Sequence, residues 1–195
     1  MARQTGNKES PAGRLRIVAG NWRSRLLDIA DVPGLRPTPE RIRETLFNWL
    51  APRLHGARCL DLCSGTGALG LEALSRGAAS VVFVERSAKA VRMLRSNITA
   101  LQAKNAEVLQ MDALDFSSRA TPAPFDLVFV DPPFAADMLS ELCRLLSERK
   151  LLATDARIYL ELSKGKPLPS LPEGWRVLKS KTAGNVRYML TTPGA

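Results

Sequence analysis

The stretch Cys59-Leu60-Asp61-Leu62-Cys63-Ser64-Gly65-Thr66-Gly67 runs from an apolar segment through one acid into two glycines. With its neighbours it predicts a buried strand over 58–62, a tight loop, and a helix over 68–76 stopped by Gly77. Glycine lets the backbone turn sharply and approach a ligand that a Cβ would displace, and the helix start beyond it offers free amide donors. The loop therefore suits a nucleotide-like ligand. Gly65, Gly67 and Gly70 also satisfy the GxGxxG spacing of a dinucleotide site, so the loop alone leaves a nicotinamide cofactor open. Asp61 tips the choice. A carboxylate facing the loop favours a cationic amino acid, such as the methionine part of S-adenosylmethionine, and repels a pyrophosphate.

Outward from this loop the pattern alternates. Residues 80–85 read as strand, 88–101 as helix, 106–111 and 126–130 as strands, the latter after a Pro-containing loop over 117–124. A helix over 137–147 and a strand over 157–162 follow, and 175–181 with 186–191 flank Ala183-Gly184-Asn185 as a terminal hairpin. Successive βα units imply a parallel sheet. Upstream, 15–19 and 25–29 surround Gly20-Asn21 as a small β-hairpin decorated by Arg14, Arg16, Arg23 and Arg25. Leu35-Arg36-Pro37-Thr38-Pro39 then leads into a helix to about Leu50, with Thr38 expected as its N-cap and Pro39 at its first position. Ile42, Leu46, Trp49 and Leu50 form its packed face, which puts Arg41, Arg43 and Glu44 elsewhere around it.

Acids at the carboxyl ends of successive parallel strands converge on the crevice where ligands bind. Glu85 ends the second strand of the alternation, where a carboxylate can accept both ribose hydroxyls, and Asp112 follows the third, where it can meet an adenine amine. Ser64, Arg86 and Ala113 adjoin these positions and are counted with the cofactor site.

A second motif, Asp131-Pro132-Pro133-Phe134, caps the strand Phe125-Asp126-Leu127-Val128-Phe129-Val130 beside the same crevice. Its chemistry concerns an amine. An exocyclic base NH₂ is a poor nucleophile because its lone pair is delocalised into the ring. Hydrogen bonds from it to the Asp131 carboxylate and the Pro132 carbonyl raise its electron density and aim it. The prolines, Pro132 and Pro133, fix the carbonyl and carry no competing N–H. Phe134 offers an aromatic face for an unstacked base.

The chain of 195 residues is sized for one α/β unit, and 45% hydrophobic with 24% charged residues is an ordinary globular composition. Three cysteines and one histidine, His55, offer neither a disulfide set nor enough soft ligands for zinc; His55 reads as a solvated loop residue. Apolar runs are strand-length, and the polar start 1–13 reads as a disordered tail without a secretory core, so no membrane partner and a cytoplasmic location are expected. The net charge of +9 is segregated. Residues 1–58 hold 11 Lys and Arg against 5 Asp and Glu, 59–148 hold 8 against 11, and 149–195 hold 9 against 3. Basic ends around an acidic middle point to a polyanion such as nucleic acid.

The runs Arg36-Pro37-Thr38, Asp61-Leu62-Cys63-Ser64-Gly65-Thr66-Gly67-Ala68-Leu69-Gly70 with Glu72-Ala73-Leu74-Ser75-Arg76-Gly77, and Asp131-Pro132-Pro133-Phe134 resemble the class I S-adenosylmethionine methyltransferases. More narrowly they resemble the bacterial small-subunit ribosomal RNA guanine-N2 methyltransferases known as RsmD, over nearly the whole of 15–190. Cys63, Ser64 and Thr66 stand where relatives often carry other small residues. The resemblance implies a Rossmann-like α/β fold: a seven-stranded mixed sheet with helices on both faces and a small N-terminal β-hairpin. It divides the chain into a tail over 1–13, a basic hairpin over 14–34 and a methyltransferase domain over 35–195. It also implies methyl transfer from S-adenosylmethionine, leaving S-adenosylhomocysteine, to a guanine amine of 16S ribosomal RNA in the small subunit or its assembly intermediate. No metal is expected, and the chain is expected to act as a monomer. The cofactor set is then Arg36, Thr38, Asp61, Ser64, Gly65, Gly67, Glu85, Arg86, Asp112, Ala113 and Asp131, with Arg36 to Thr38 closing over the cofactor and the basic hairpin holding RNA. The amine motif alone leaves adenine-N6 and glutamine-amide methylation open, and a non-catalytic RNA-binding assembly factor of the same fold is the reading from another class.

Overall fold

The structure, a computed structural model, describes residues 12–119, 123–133 and 138–194. Most of the expected tail, three residues of the 117–124 loop, and Phe134 to Asp137 lie outside the described residues. Strands β1 (Gly13–Arg16) and β2 (Leu26–Ile29) form an antiparallel hairpin, and α1 (Glu40–Leu54) leads into the alternating part. That part runs β3 (Arg58–Leu62), α2 (Ala68–Ser75), β4 (Ser80–Glu85), α3 (Ala88–Ala100), β5 (Ala106–Gln110), α4 (Ala113–Arg119), β6 (Phe125–Val130), α5 (Met138–Glu148) and β7 (Leu152–Ser163). Strands β8 (Arg176–Ala183) and β9 (Val186–Thr192) end the fold.

The sheet order is β5-β4-β3-β6-β7-β9-β8, parallel through β7 and antiparallel at β9 and β8. The expected seven-stranded mixed sheet is present. Its parallel strands are buried on both faces, so they read as apolar runs, and alternate residues feed two cores. Cys59, Phe83, Leu127, Phe129 and Tyr159 face one core with α1, α2, α3 and the hairpin. Leu60, Leu62, Val84, Val128 and Ile158 face the other with α4 and α5. The chain leaves β3 toward β4 and β5 and later returns to β3's other side as β6, which makes the carboxyl ends of β3 and β6 the topological switch point. No helix among the described residues is long and apolar enough to cross a membrane.

Several local expectations change. Thr38 does not cap α1: Pro39 holds the N-cap position without a side-chain bond and the helix begins at Glu40, because the Thr38 hydroxyl donates instead to Asp131 Oδ2 at 3.3 Å. The helix also continues past Leu50 to Leu54, since Pro52 removes only the hydrogen bond to the carbonyl of exposed Asn48 while Leu54 is buried. Arg43, expected off the packed face, is 1% exposed. Its guanidinium donates to Glu72 Oε2 at 2.8 Å, to the Arg16 carbonyl at 2.8 Å and to the Thr38 carbonyl at 3.1 Å. Glu72 also accepts from Val18 N, Ala19 N and Arg76 Nε, all within 2.9 Å. A planar fork with five donors can bind three chain segments at once, and this one joins the hairpin, α1 and α2.

The hairpin turn is longer than Gly20-Asn21. The strand ladder ends at Arg16 and Leu26, Ile17 still exchanging backbone hydrogen bonds with Arg25 and Ser24, and the connection docks on the end of α2, where Asn21 N–H donates to the Ser75 carbonyl at 2.7 Å. The expected 117–124 loop begins later, because Asp112 Oδ1 accepts from Leu114 N–H and starts α4, whose Phe116 is buried. Strand β7 reaches back to Leu152, five residues before its apolar stretch, pairing Phe125 through a bulge.

Candidate active site

The registers Val84–Leu62–Val130–Leu160 align four neighbouring strands. The next residue on each, Glu85, Cys63, Asp131 and Glu161, therefore stands in one row along the carboxyl edge, with Asp61 one layer beneath. Three of the sequence-chosen acids are thus brought together, and Glu161 joins them.

Gly67 has φ +75°, and a Cβ there would lie 2.4 Å from Leu94 Cδ1, so only glycine closes the loop at this height. Gly70 serves a different need. A Cβ on it would fall 2.2 Å from the Phe83 ring and 2.9 Å from Asp61 Oδ2. Its bareness lets α2 settle against the sheet so that Gly70 N–H donates to Asp61 Oδ2 at 2.9 Å. The third glycine of the GxGxxG spacing is accordingly a packing and carboxylate-anchoring residue here.

Asp61 is 2% exposed, and burial pushes its carboxyl from an ordinary value of 3.8 up to about 7 despite the Gly70 hydrogen bond, with Glu85 adding repulsion. Asp131 is raised well above the carboxylate range by burial, then by Glu161 and Asp61, against the opposing Thr38 bond. Glu161, 4% exposed, is raised by burial while its Oε2 accepts the Tyr159 hydroxyl at 2.6 Å. Neighbouring carboxylates thus repel charge at two of them: Glu85 at Asp61, and Glu161 with Asp61 at Asp131. A desolvated row of acceptors is complementary to a ligand that brings donors and positive charge.

Glu85 Oε2 accepts from Gly65 N–H at 2.9 Å and Oε1 from Ser87 N–H at 2.7 Å, which fixes the carboxylate and leaves each oxygen a lone pair. Asp112 keeps Oδ2 available beyond its bond to Leu114. The Ser64 hydroxyl is committed to the Asp61 and Val84 carbonyls, so its side chain braces the loop. Ala113 is buried beside Asp112, and Arg86 is exposed beside Glu85. Segment 35–38 crosses above: Leu35 packs toward Gly65, Arg36 is exposed, and Thr38 reaches Asp131. The carboxylate and hydroxyl-accepting set fits S-adenosylmethionine, whose ammonium, sulfonium, ribose hydroxyls and adenine amine are donors or cations.

On the other side of Asp131 lies a cavity of about 410 Å³ lined by Pro132, Pro133, Glu161, Ser163, Lys166 and Leu168 with their neighbours. Phe134 lies outside the described residues. Sequence reasoning missed Glu161, whose signal was a single acid inside the buried run Ile158-Tyr159-Leu160-Glu161-Leu162.

The basic hairpin is divided between the two ends of the sheet. Arg16 pairs with Glu40 at the head of α1, at 3.8 Å, and Arg14 with Asp28 at 3.8 Å. Arg25 donates to the Ala100 carbonyl at the tail of α3, and the turn carrying Arg23 docks on the tail of α2, so both lie at the amino edge of the sheet, away from the acids.

The family profile described as conserved hypothetical protein 95 matches residues 15–192. The ribosomal RNA small subunit methyltransferase D of Escherichia coli K12 is 45% identical over 181 residues, covering 93% of this chain and 91% of that one. Its counterpart in Haemophilus influenzae is likewise 45% identical over 181 residues, with 91% and 93% covered. The solved structure of yhhF from Escherichia coli superposes with a TM-score of 0.88 at 43% identity, over 94% of this chain and 99% of that one. With the profile spanning residues 15–192 and relatives 45% identical over more than nine-tenths of its length, the chain belongs to the ribosomal RNA small subunit methyltransferase D family, RsmD.

Proposed function

We propose that the protein transfers a methyl group from S-adenosylmethionine to the exocyclic N2 amine of a guanine in 16S ribosomal RNA, acting as a monomer in the cytoplasm on the small subunit or its assembly intermediate. The observation that carries this reading is the position of Asp131 and Pro132. They stand one strand from Asp61, at the switch point, with the cofactor crevice on one side and the 410 Å³ cavity on the other.

Asp61 would hold the cationic amino-acid part of the cofactor, Glu85 the ribose hydroxyls and Asp112 the adenine amine, with Gly65 and Gly67 giving the backbone its close approach and Arg36 to Thr38 covering the site. Held by these residues, S-adenosylmethionine would supply an electrophilic methyl on its sulfonium sulfur, which the guanine N2 lone pair would take while the C–S electron pair stayed on sulfur. Asp131 and the Pro132 carbonyl accept the two amine hydrogens, which concentrates electron density on nitrogen and fixes its direction. Thr38 holds Asp131 Oδ2 in place. After transfer the surplus amine proton passes to Asp131, whose raised affinity for protons suits it to that task. Pro132 and Pro133 shape the wall, and Phe134, next in the motif, would supply the stacking face for the flipped base.

Asp131→Ala tests the division of labour. Transfer should fall by roughly 100-fold or more while cofactor affinity, measured by calorimetry, stays within about 1 kcal/mol. A large loss of cofactor binding would place Asp131 on the other side of the reaction.

A further inference from the structure

We propose that Glu161 determines guanine specificity by accepting the N1–H of the target base, alongside Asp131 at N2. The inference rests on the methyl-transfer function proposed above and adds the residue that reads the base. Glu161 follows Leu160, the register partner of Val130, so its Cα is level with that of Asp131 on the adjacent parallel strand and both side chains leave the same face of the sheet. Neighbouring parallel strands are about 4.8 Å apart. Adjacent donors on one edge of a guanine, N1–H and N2–H, are spaced to meet two such neighbouring acceptors. Adenine offers an acceptor at N1 and would face a carboxylate with no proton between them.

The surroundings of Glu161 fit this role. It is 4% exposed yet lines the cavity with Pro132 and Pro133, and its Oε2 is held by Tyr159, itself fully buried. That bond is the hydrogen bond Glu161 makes among the described residues, and it leaves Oε1 as an acceptor for a ligand. A purely structural acid in a buried strand would have both oxygens satisfied by the protein. Lys166, lining the same cavity, can meet a phosphate of the target nucleotide.

The test compares hypomodified small subunits carrying either the target guanine or 2-aminopurine at the same position, which keeps the N2 amine but turns N1 into an acceptor. Wild-type enzyme should favour guanine by roughly 10-fold or more in kcat/KM. Glu161→Gln places an amide donor opposite N1, so the preference should collapse or invert toward 2-aminopurine, and Glu161→Ala should abolish it without inversion. Because the ratio is taken within each variant, a change in the folded fraction cancels. S-Adenosylmethionine affinity should stay within about two-fold. An unchanged guanine preference in Glu161→Gln, with an active wild type, overturns the role of Glu161 alone. A wild-type enzyme that forms no N2-methylguanosine overturns the function beneath it and the role with it.

Discussion

Asp61 is held against α2 by the Gly70 amide and desolvated by the loop above it, and its raised proton affinity has a sign that can be followed. Between its ordinary value of 3.8 and about 7, the folded protein binds a proton that the unfolded chain releases. Stability of the ligand-free protein therefore falls as pH rises through that window, and Asp131 and Glu161, shifted the same way, add to the trend. Asp61→Asn keeps an acceptor for Gly70 N–H and removes the buried charge. It should raise the midpoint of thermal unfolding of the ligand-free protein at pH 8 while weakening S-adenosylmethionine binding by roughly 10-fold or more. Higher cofactor affinity in Asp61→Asn would contradict the cation-binding role. A second consequence concerns rate. If Asp131 must be ionised to polarise the amine, kcat/KM should rise with pH along a limb set above the usual carboxylate range, an apparent value belonging to the Asp131–Glu161 pair. A profile flat from pH 5 to 8 would contradict it. Asp61 and Asp131 were legible in the sequence because each ends an apolar strand beside turn-forming glycines or prolines. The Thr38–Asp131 hydrogen bond, which spans 93 positions, and Glu161, which strand register sets beside Asp131 30 positions earlier, were not.

At the scale of elements, the parallel strands and their helices were legible from apolar runs broken by Gly77 and by the loop glycines, while α4 was hidden because a single Asp112 cap starts it inside a mixed stretch. The Arg43–Glu72 cluster was also invisible. Helical periodicity assigns Arg43 to solvent, and only the docking of the hairpin over α1 and α2 buries it. Removing one partner of a buried, hydrogen-bonded ion pair strands the other, so Glu72→Ala should cost about 3–5 kcal/mol, read from the denaturation midpoint. A change below about 1 kcal/mol would mean that the cluster does not join the hairpin to the domain. The cofactor loop offers a separate test. Gly67→Ala meets both a positive φ and Leu94, so cofactor binding should be lost, whereas Gly165→Ala, with no positive φ and open space around it, should leave binding unchanged.

Across the whole molecule, charge and shape set where RNA can lie. The basic ends were legible in composition, but their disposition was not: Arg23 and Arg25 sit at the amino edge of the sheet, and exposed Lys164 and Lys166 follow β7 beside the cavity. If the RNA backbone crosses the carboxyl edge, replacing Lys164 and Lys166 together by Ala should weaken RNA binding and flatten its salt dependence more than replacing Arg23 and Arg25. The reverse ranking, measured by titration at several salt concentrations, would move the RNA to the hairpin turn. The central claim is the reaction itself, and one measurement reaches it directly: incubation with labelled S-adenosylmethionine and hypomodified small subunits, followed by nucleoside mass spectrometry. The structure leads us to expect label in N2-methylguanosine of 16S ribosomal RNA, and label in N6-methyladenine, or in no nucleoside, would contradict it.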